Sequence, residues 1–253
     1  MTDPWGPGPT ETPPGAWDPE IAAGLAAMIA DVAANPEDRP PLAVFDWDET
    51  CIRGDISETW LTYLDEFVPG MLEDYELGCR VDKRVAYEKL AIDLCKGRTE
   101  REIRTDVLAA LARAQRDGRI ALRQDVRDLF WQLHRRGWEV WIVTASTTPV
   151  VQPLAEMYGI HPHRVLGMQC PLGPDGRFLP RLLDPIPYRD GKIAAVRRWI
   201  GCDPTLAAGD SDGDLWLLRA ARYRILVDRG ERGDPALRAL AQSEGWWIQR
   251  GWS

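Results

Sequence analysis

Short apolar runs recur along the chain, and between them the apolar positions fall three or four residues apart. LAVF at 42–45, EVWIV at 139–143, TLAA at 205–208 and RILV at 224–227 are four such runs, and WWI at 246–248 adds a candidate edge strand. Runs this short and this continuous suit a parallel sheet buried on both faces. The intervening segments read as helices. Ile21, Leu25, Met28, Ile29 and Val32 share a face behind Asp18 as N-cap and Pro19 at the first helical position, and Asn35-Pro36 ends the segment. Val126, Leu129, Phe130 and Leu133 form a stripe closed by Gly137; helical patterns at 150–158 and 193–200 are closed by Gly159 and Gly201, and another at 215–221 follows the third run. Strands alternating with helices of this length predict an α/β fold, a Rossmann-like parallel sheet with helices on both faces.

One stretch interrupts the alternation. From 51 to 125 the pattern is helical throughout, with Thr99 and Glu102 set as a capping box before Ile103, Val107, Leu108 and Leu111. An insertion that leaves the carboxyl end of a strand lands where α/β sheets bind ligands, so residues 51–125 are expected to form a helical cap. The core is then 17–50 with 126–253, and the Pro/Gly-rich residues 1–16 are expected to be a disordered tail.

Composition narrows the function. A formal net charge of -8 and no basic aromatic stripe argue against a nucleic-acid partner or an anionic membrane surface. No apolar run has the length of a membrane span, and the acidic, Pro-rich start lacks the plan of a secretory signal. The five cysteines form no C-x-x-C pair and fit reduced thiols, so a cytoplasmic protein is expected. His161 and His163 flank Pro162 in a turn and read as surface residues.

The chemistry gathers at strand ends. FDWDET at 45–50 closes the first run, and alternation along an extended segment turns Asp46 and Asp48 to one side with Trp47 opposite. Two carboxylates so placed repel unless a cation joins them or one keeps its proton. Thr144 follows the second run, GDSDGD brings Asp210, Asp212 and Asp214 to the end of the third, and Lys192 opens a helix in a DGK turn. Asp212 reads as a solvated turn residue and Ser211 as a helix cap.

These residues resemble, in order and spacing, the four motifs of the haloacid dehalogenase superfamily. The resemblance covers nearly the whole chain after the tail, and it implies a phosphatase. Asp46 would attack phosphorus to form an aspartyl-phosphate, and Asp48 would protonate the leaving oxygen and then take a proton from water. Thr144 and Lys192 would hold phosphoryl oxygens. Mg²⁺ would be bound by the Asp46 carboxylate, the Asp48 carbonyl and Asp210, with Asp214 orienting metal waters or Lys192; the same oxygen donors suit Mn²⁺. Carbon–halogen hydrolases of similar fold lack the second aspartate, which favours phosphoryl chemistry here.

The insertion and TPVVQPLAEMYGI resemble the phosphoserine phosphatase group, where an acid nine residues beyond the nucleophile faces the substrate amine; here that acid is Asp55. Glu49, the TAS of the second motif and Gly213 depart from that group's pattern. AVFDWDETCIRGDI and DPIPYRDGK are similar to a phosphorylcholine phosphatase branch. The expected partner is a small phosphorylated metabolite with a cationic end, read by Asp55 and by cap aromatics among Trp60, Tyr63, Phe67, Tyr75 and Tyr87. The alternatives are a phosphoserine phosphatase, a nucleotidase, or a phosphate-binding protein without turnover. The other tryptophans, including Trp47, Trp131, Trp138, Trp141, Trp199 and Trp216, are read as packing, and oligomeric state has no signature in the sequence.

Overall fold

A computed structural model describes residues 17–251, and the expected tail at 1–16 lies outside them. Helix α1 (Pro19–Ala34) precedes β1 (Leu42–Phe45) and a two-residue strand, β2 (Ile52–Arg53). Four helices follow: α2 (Ile56–Asp65), α3 (Met71–Val81), α4 (Lys83–Cys95) and α5 (Glu100–Arg116). The chain returns through β3 (Ala121–Leu122) to α6 (Gln124–Arg135), β4 (Glu139–Thr147), α7 (Thr148–Ala155) and β5 (Val165–Met168). The last elements are α8 (Asp190–Trp199), β6 (Leu206–Gly209), α9 (Leu215–Ala220), β7 (Tyr223–Asp228), α10 (Pro235–Ser243) and β8 (Trp247–Arg250).

Six strands make one sheet in the order β5-β4-β1-β6-β7-β8, and every pairing in it is parallel. The α/β expectation holds, and alternation within β1 shows why. Ala43 and Phe45 face a core shared with α1, α6 and α7, while Leu42 and Val44 face one shared with α8, α9 and α10. All four residues are at most 2% exposed. β1 lies between β4 and β6, with Phe45 in register with both Ile142 and Ala208. The chain order reverses at that point, so the crevice beyond the carboxyl ends of these three strands is the place for a ligand.

Several details differ from the sequence reading. Asp18 precedes α1 but its side chain makes no cap; its backbone N–H instead donates to the Gln249 side chain at 2.9 Å, tying α1 to β8. The stretch 51–125 is not wholly helical: β2 and β3 pair antiparallel, Ile52 with Leu122 and Arg53 with Ala121, where the chain leaves and rejoins the sheet. β5 leaves no apolar run in the sequence because Gly167 interrupts it. Trp199 and Trp216 are 60% and 50% exposed and do not pack in the core as expected, whereas Trp47, Trp131 and Trp138 do. The Thr99–Glu102 capping box forms as read, and His161 and His163 lie exposed on a short turn.

Candidate active site

The site grows from the three central strands. The Asp46 N–H donates to the Ala208 carbonyl at 2.9 Å, which carries the β1–β6 pairing one residue past the strand and fixes where Asp46 points. Trp47 turns the other way and is fully buried, its ring edge-on to Tyr158 at 5.2 Å. Asp48 returns to the pocket side, where Oδ1 accepts from the Ile56 N–H at 2.8 Å and Oδ2 from the Ser146 hydroxyl at 2.7 Å. Thr144 Oγ1 lies 3.5 Å from Asp48 Oδ2 and accepts from the Ser146 N–H at 3.0 Å. Lys192, in the first turn of α8, places Nζ 2.6 Å from Asp46 Oδ1 and 2.6 Å from Asp214 Oδ1.

Asp210 follows β6 directly, and Asp214 curls back beneath it. Asp214 Oδ2 accepts from the N–H groups of Asp210 and Ser211 and from the Ser211 hydroxyl, each at 3.1 Å. That approach needs a glycine at 209, since a Cβ there would lie 2.4 Å from Asp214 Cβ. Ser211 caps the turn as expected, and Asp212 is exposed, paired with Arg189.

So many carboxylates in one buried space disturb one another. Burial, and then the charge of Asp214, push the Asp46 carboxyl up against the opposing pull of Lys192. Asp48 is pushed up to about 7, mainly by burial, although hydrogen bonds from Ser146 and Ile56 work the other way. Burial and the charges of Asp214 and Asp46 hold Asp210 well above the usual carboxylate range. Burial works against the charged form of Lys192, but Asp214 and Asp46 outweigh it and hold the ammonium firmly protonated.

One oxygen from each of Asp46, Asp210 and Asp214 lies within 4.8 Å of the others. Buried, oxygen-only and mutually repelling, this donor set fits a hard divalent cation, which would relieve the repulsion that helps to raise Asp46 and Asp210. The three are not equivalent. Both Asp214 oxygens already accept from Lys192, from backbone N–H groups or from Ser211, so Asp214 serves the cluster by holding its neighbours. Asp46 and Asp210 carry fewer donors, Lys192 and Thr50 on the first and Arg229 and Thr50 on the second, and are better placed to face a cation.

Residues 43–219 match the family model for the haloacid dehalogenase-like hydrolases. The chain belongs to this family. It is also similar to a histidinol-phosphatase from Neisseria meningitidis serogroup C (strain 8013), with 23% identity over 228 residues, 81% of this chain and 96% of that one. Among solved structures, a conserved protein of unknown function from Anaerococcus prevotii DSM 20548 superposes with a TM-score of 0.76 at 18% identity, covering 94% of each chain. A substrate-bound phosphoserine phosphatase superposes with a TM-score of 0.58 at 16% identity, covering 85% of this chain and 95% of that one.

In this haloacid dehalogenase-like hydrolase a cavity of about 140 Å³ lies over the strand ends, bounded on its far side by Asp55, Ser57, Tyr75, Lys83 and Tyr87 of the helical stretch. Asp55 caps α2 by accepting from the Glu58 N–H at 2.8 Å, and burial with the nearby charges of Asp48 and Glu58 pushes its carboxyl well up. Tyr75 and Tyr87 stack at 6.1 Å, and Tyr87 meets Tyr188 of the core edge-on at 5.7 Å.

Trp60 is a correction. It is fully buried in the apolar core with the Arg98 guanidinium 5.2 Å from its ring, and it does not line the cavity; its helical spacing with Leu64 serves packing. Tyr63 and Phe67 pack on each other at 5.3 Å, also off the cavity, and Phe67 is 66% exposed.

The sequence reading missed four residues. The Thr50 hydroxyl lies 3.3 Å from Asp46 Oδ2 and 3.4 Å from Asp210 Oδ1. Ser146 holds Asp48 and accepts from Ser57 at 2.9 Å. Arg229 Nε lies 3.0 Å from Asp210 Oδ2. Strand alternation offered a signal for Ser146, which shares a side with Thr144; Arg229 and Ser57 had none.

Proposed function

We propose that this hydrolase is a phosphatase that cleaves small phosphomonoesters through an aspartyl-phosphate on Asp46, with Asp48 as general acid and base. The observation that carries the reading is the pair itself. A buried carboxylate held 2.6 Å from Lys192 sits two residues before a carboxylate whose affinity for its proton lies near neutrality. An Asp46 oxygen forms the bond to phosphorus as the bond to the leaving oxygen breaks, and the Asp48 proton goes to that oxygen. Water then attacks phosphorus, giving its proton to Asp48, and the Asp46–phosphoryl bond breaks to release phosphate. Ser146 and the Ile56 N–H hold Asp48 in place for both transfers. Lys192 and the Thr144 hydroxyl supply donors to the phosphoryl oxygens, with Asp214 keeping Lys192 aimed. Mg²⁺ held by Asp46, the Asp48 carbonyl and Asp210 would neutralise charge on the phosphoryl group. We read the helices between β2 and β3, within residues 51–125, as a cap over this reaction, a reading supported by Asp55, Tyr75 and Tyr87 lining the cavity from that side.

For the substrate, Asp55 supports an amine. A carboxyl pushed up by burial and by two acidic neighbours gains from an ammonium group brought beside it, and Tyr75 and Tyr87 line the same cavity. Phosphoethanolamine, phosphocholine, phosphoserine and histidinol phosphate all present such a group, and the histidinol-phosphatase relative adds weight to the last. The test is phosphate release from these four, a nucleoside monophosphate and an aryl phosphate, with Mg²⁺, with chelator, and in Asp46→Asn. Release should need the metal, vanish in Asp46→Asn and be fastest for an amine ester. Release that persists in Asp46→Asn would remove the nucleophile assignment, and equal rates for neutral esters would remove the amine.

A further inference from the structure

The loop after β7 sends two arginines toward the site. Its shape is fixed from several sides: Asp228 Oδ1 accepts from the Gly230 N–H at 3.1 Å and from Arg238 at 2.7 Å, and the Asp228 carbonyl accepts from the Gly251 N–H at 2.6 Å. Arg238 also donates to the Gly230 carbonyl at 2.6 Å. From this base Arg232 pairs with Glu49, the residue after Asp48, at 3.2 Å. Arg229 lines the cavity and pairs with Asp210 Oδ2 at 3.0 Å, its side chain 28% exposed and that of Asp210 6%. The other Asp210 oxygen accepts from the Thr50 hydroxyl at 3.4 Å.

We propose that Arg229 sets the cation affinity of the acidic cluster, holding it weak by drawing on the Asp210 carboxylate that the cation uses. The proposal rests on the reading of Asp210 as a cation ligand. A guanidinium keeps its charge at any working pH, so its repulsion of an incoming cation is present throughout. Lys192 already offsets part of the charge of Asp46 and Asp214, and Arg229 offsets that of Asp210, so an incoming divalent cation meets a cluster with little charge left to neutralise. Release of the cation is eased by the same pairing, because the guanidinium is at hand to take the carboxylate back.

The experiment is calorimetric titration of the full chain with Mg²⁺ and with Mn²⁺, in wild type, Arg229→Met, Arg229→Lys and Asp210→Asn, without substrate. Arg229→Met should bind roughly tenfold more tightly, from the loss of one nearby positive charge at partial burial. Arg229→Lys should stay close to wild type, since it keeps the charge, and Asp210→Asn should bind more weakly. Equal affinity in Arg229→Met and wild type, or weaker binding in Arg229→Met, would overturn the proposal while Asp210→Asn still shows the ligand to be real. Binding unaffected by Asp210→Asn would overturn the ligand reading, and the proposal with it.

Discussion

Asp48 accepts one hydrogen bond from backbone and one from a hydroxyl, yet burial still lifts its carboxyl to about 7 from an unfolded value of 3.8. The folded chain therefore holds that proton where the unfolded chain has released it, and stability falls as pH rises from about 4 to about 7. Asp48→Asn, which has no proton to lose, should gain melting temperature relative to wild type as pH rises through that window. Melts in chelator at pH 4.5, 6 and 8 would show the gap widening; a constant gap would mean that Asp48 titrates as in the unfolded chain. Ser146→Ala removes the hydroxyl that favours the charged form, so the alkaline limb of the phosphatase rate should move to higher pH. A pH–rate profile of the two proteins checks it. At this scale the sequence was most legible where local geometry decides. D-x-D alternation put Asp46 and Asp48 on one side, and the GDSDGD turn delivered Asp210. Trp60 went wrong because helical spacing alone does not say which face of α2 meets the cavity. Arg229 was hidden because only the β7 loop, far along the chain, brings it to Asp210.

Elements carry the next set of consequences. β1 and β4 were readable because their apolar runs are unbroken, whereas Gly167 interrupts β5 and the β2–β3 ladder is too short to leave a pattern. Tyr158 shows what that ladder depends on. Its hydroxyl accepts from the Arg123 N–H at 2.6 Å and donates to the Cys51 carbonyl at 2.7 Å, so it bridges the outgoing and returning strands from within the core. Tyr158→Phe leaves both backbone groups buried without that partner and should cost about 2–4 kcal/mol in urea unfolding. Cys51 also donates its thiol to the Asp46 carbonyl at 3.1 Å, so a loss confined to stability, with kcat untouched, would show the ladder to be decoupled from the nucleophile. Gly209→Ala drives a methyl against Asp214 and should cost about 1–3 kcal/mol, together with most activity, since Asp214 holds Lys192.

Over the whole molecule, the helical stretch shares an apolar core with the sheet layer and is tied to it by polar contacts as well. The turn between α4 and α5 exchanges backbone bonds with Phe178, Gly97 N–H to its carbonyl at 2.8 Å and its own N–H to the Arg98 carbonyl at 2.9 Å. Arg104 grips Glu156 through two bonds of 2.9 and 2.7 Å on the surface. The physics ranks these differently from their number. Arg104→Ala should lower stability by under about 1 kcal/mol, because exposed pairs are screened, while Phe178→Ala should cost about 3–5 kcal/mol, since that ring is 3% exposed. Chemical denaturation of both variants would test the ranking. No helix of the described residues is long and apolar enough to cross a membrane. What composition did not carry was the packing of helix α3, which has no buried residue and leaves Leu77 and Val81 58% and 84% exposed.

The two-residue ladder has a further meaning for how such a protein changes over time. Ile52 faces Leu122 and Arg53 faces Ala121, so the chain departs from the catalytic sheet and comes back to it at neighbouring points. Whatever lies between those points can lengthen, shrink or be exchanged as a cassette without shifting the register of β1 against β4 and β6. Selection for a new substrate therefore has a place to work at Tyr75 and Tyr87, while Ile56 and Ser57 at the start of the segment stay tied to Asp48 through the Ile56 N–H and the Ser146 hydroxyl.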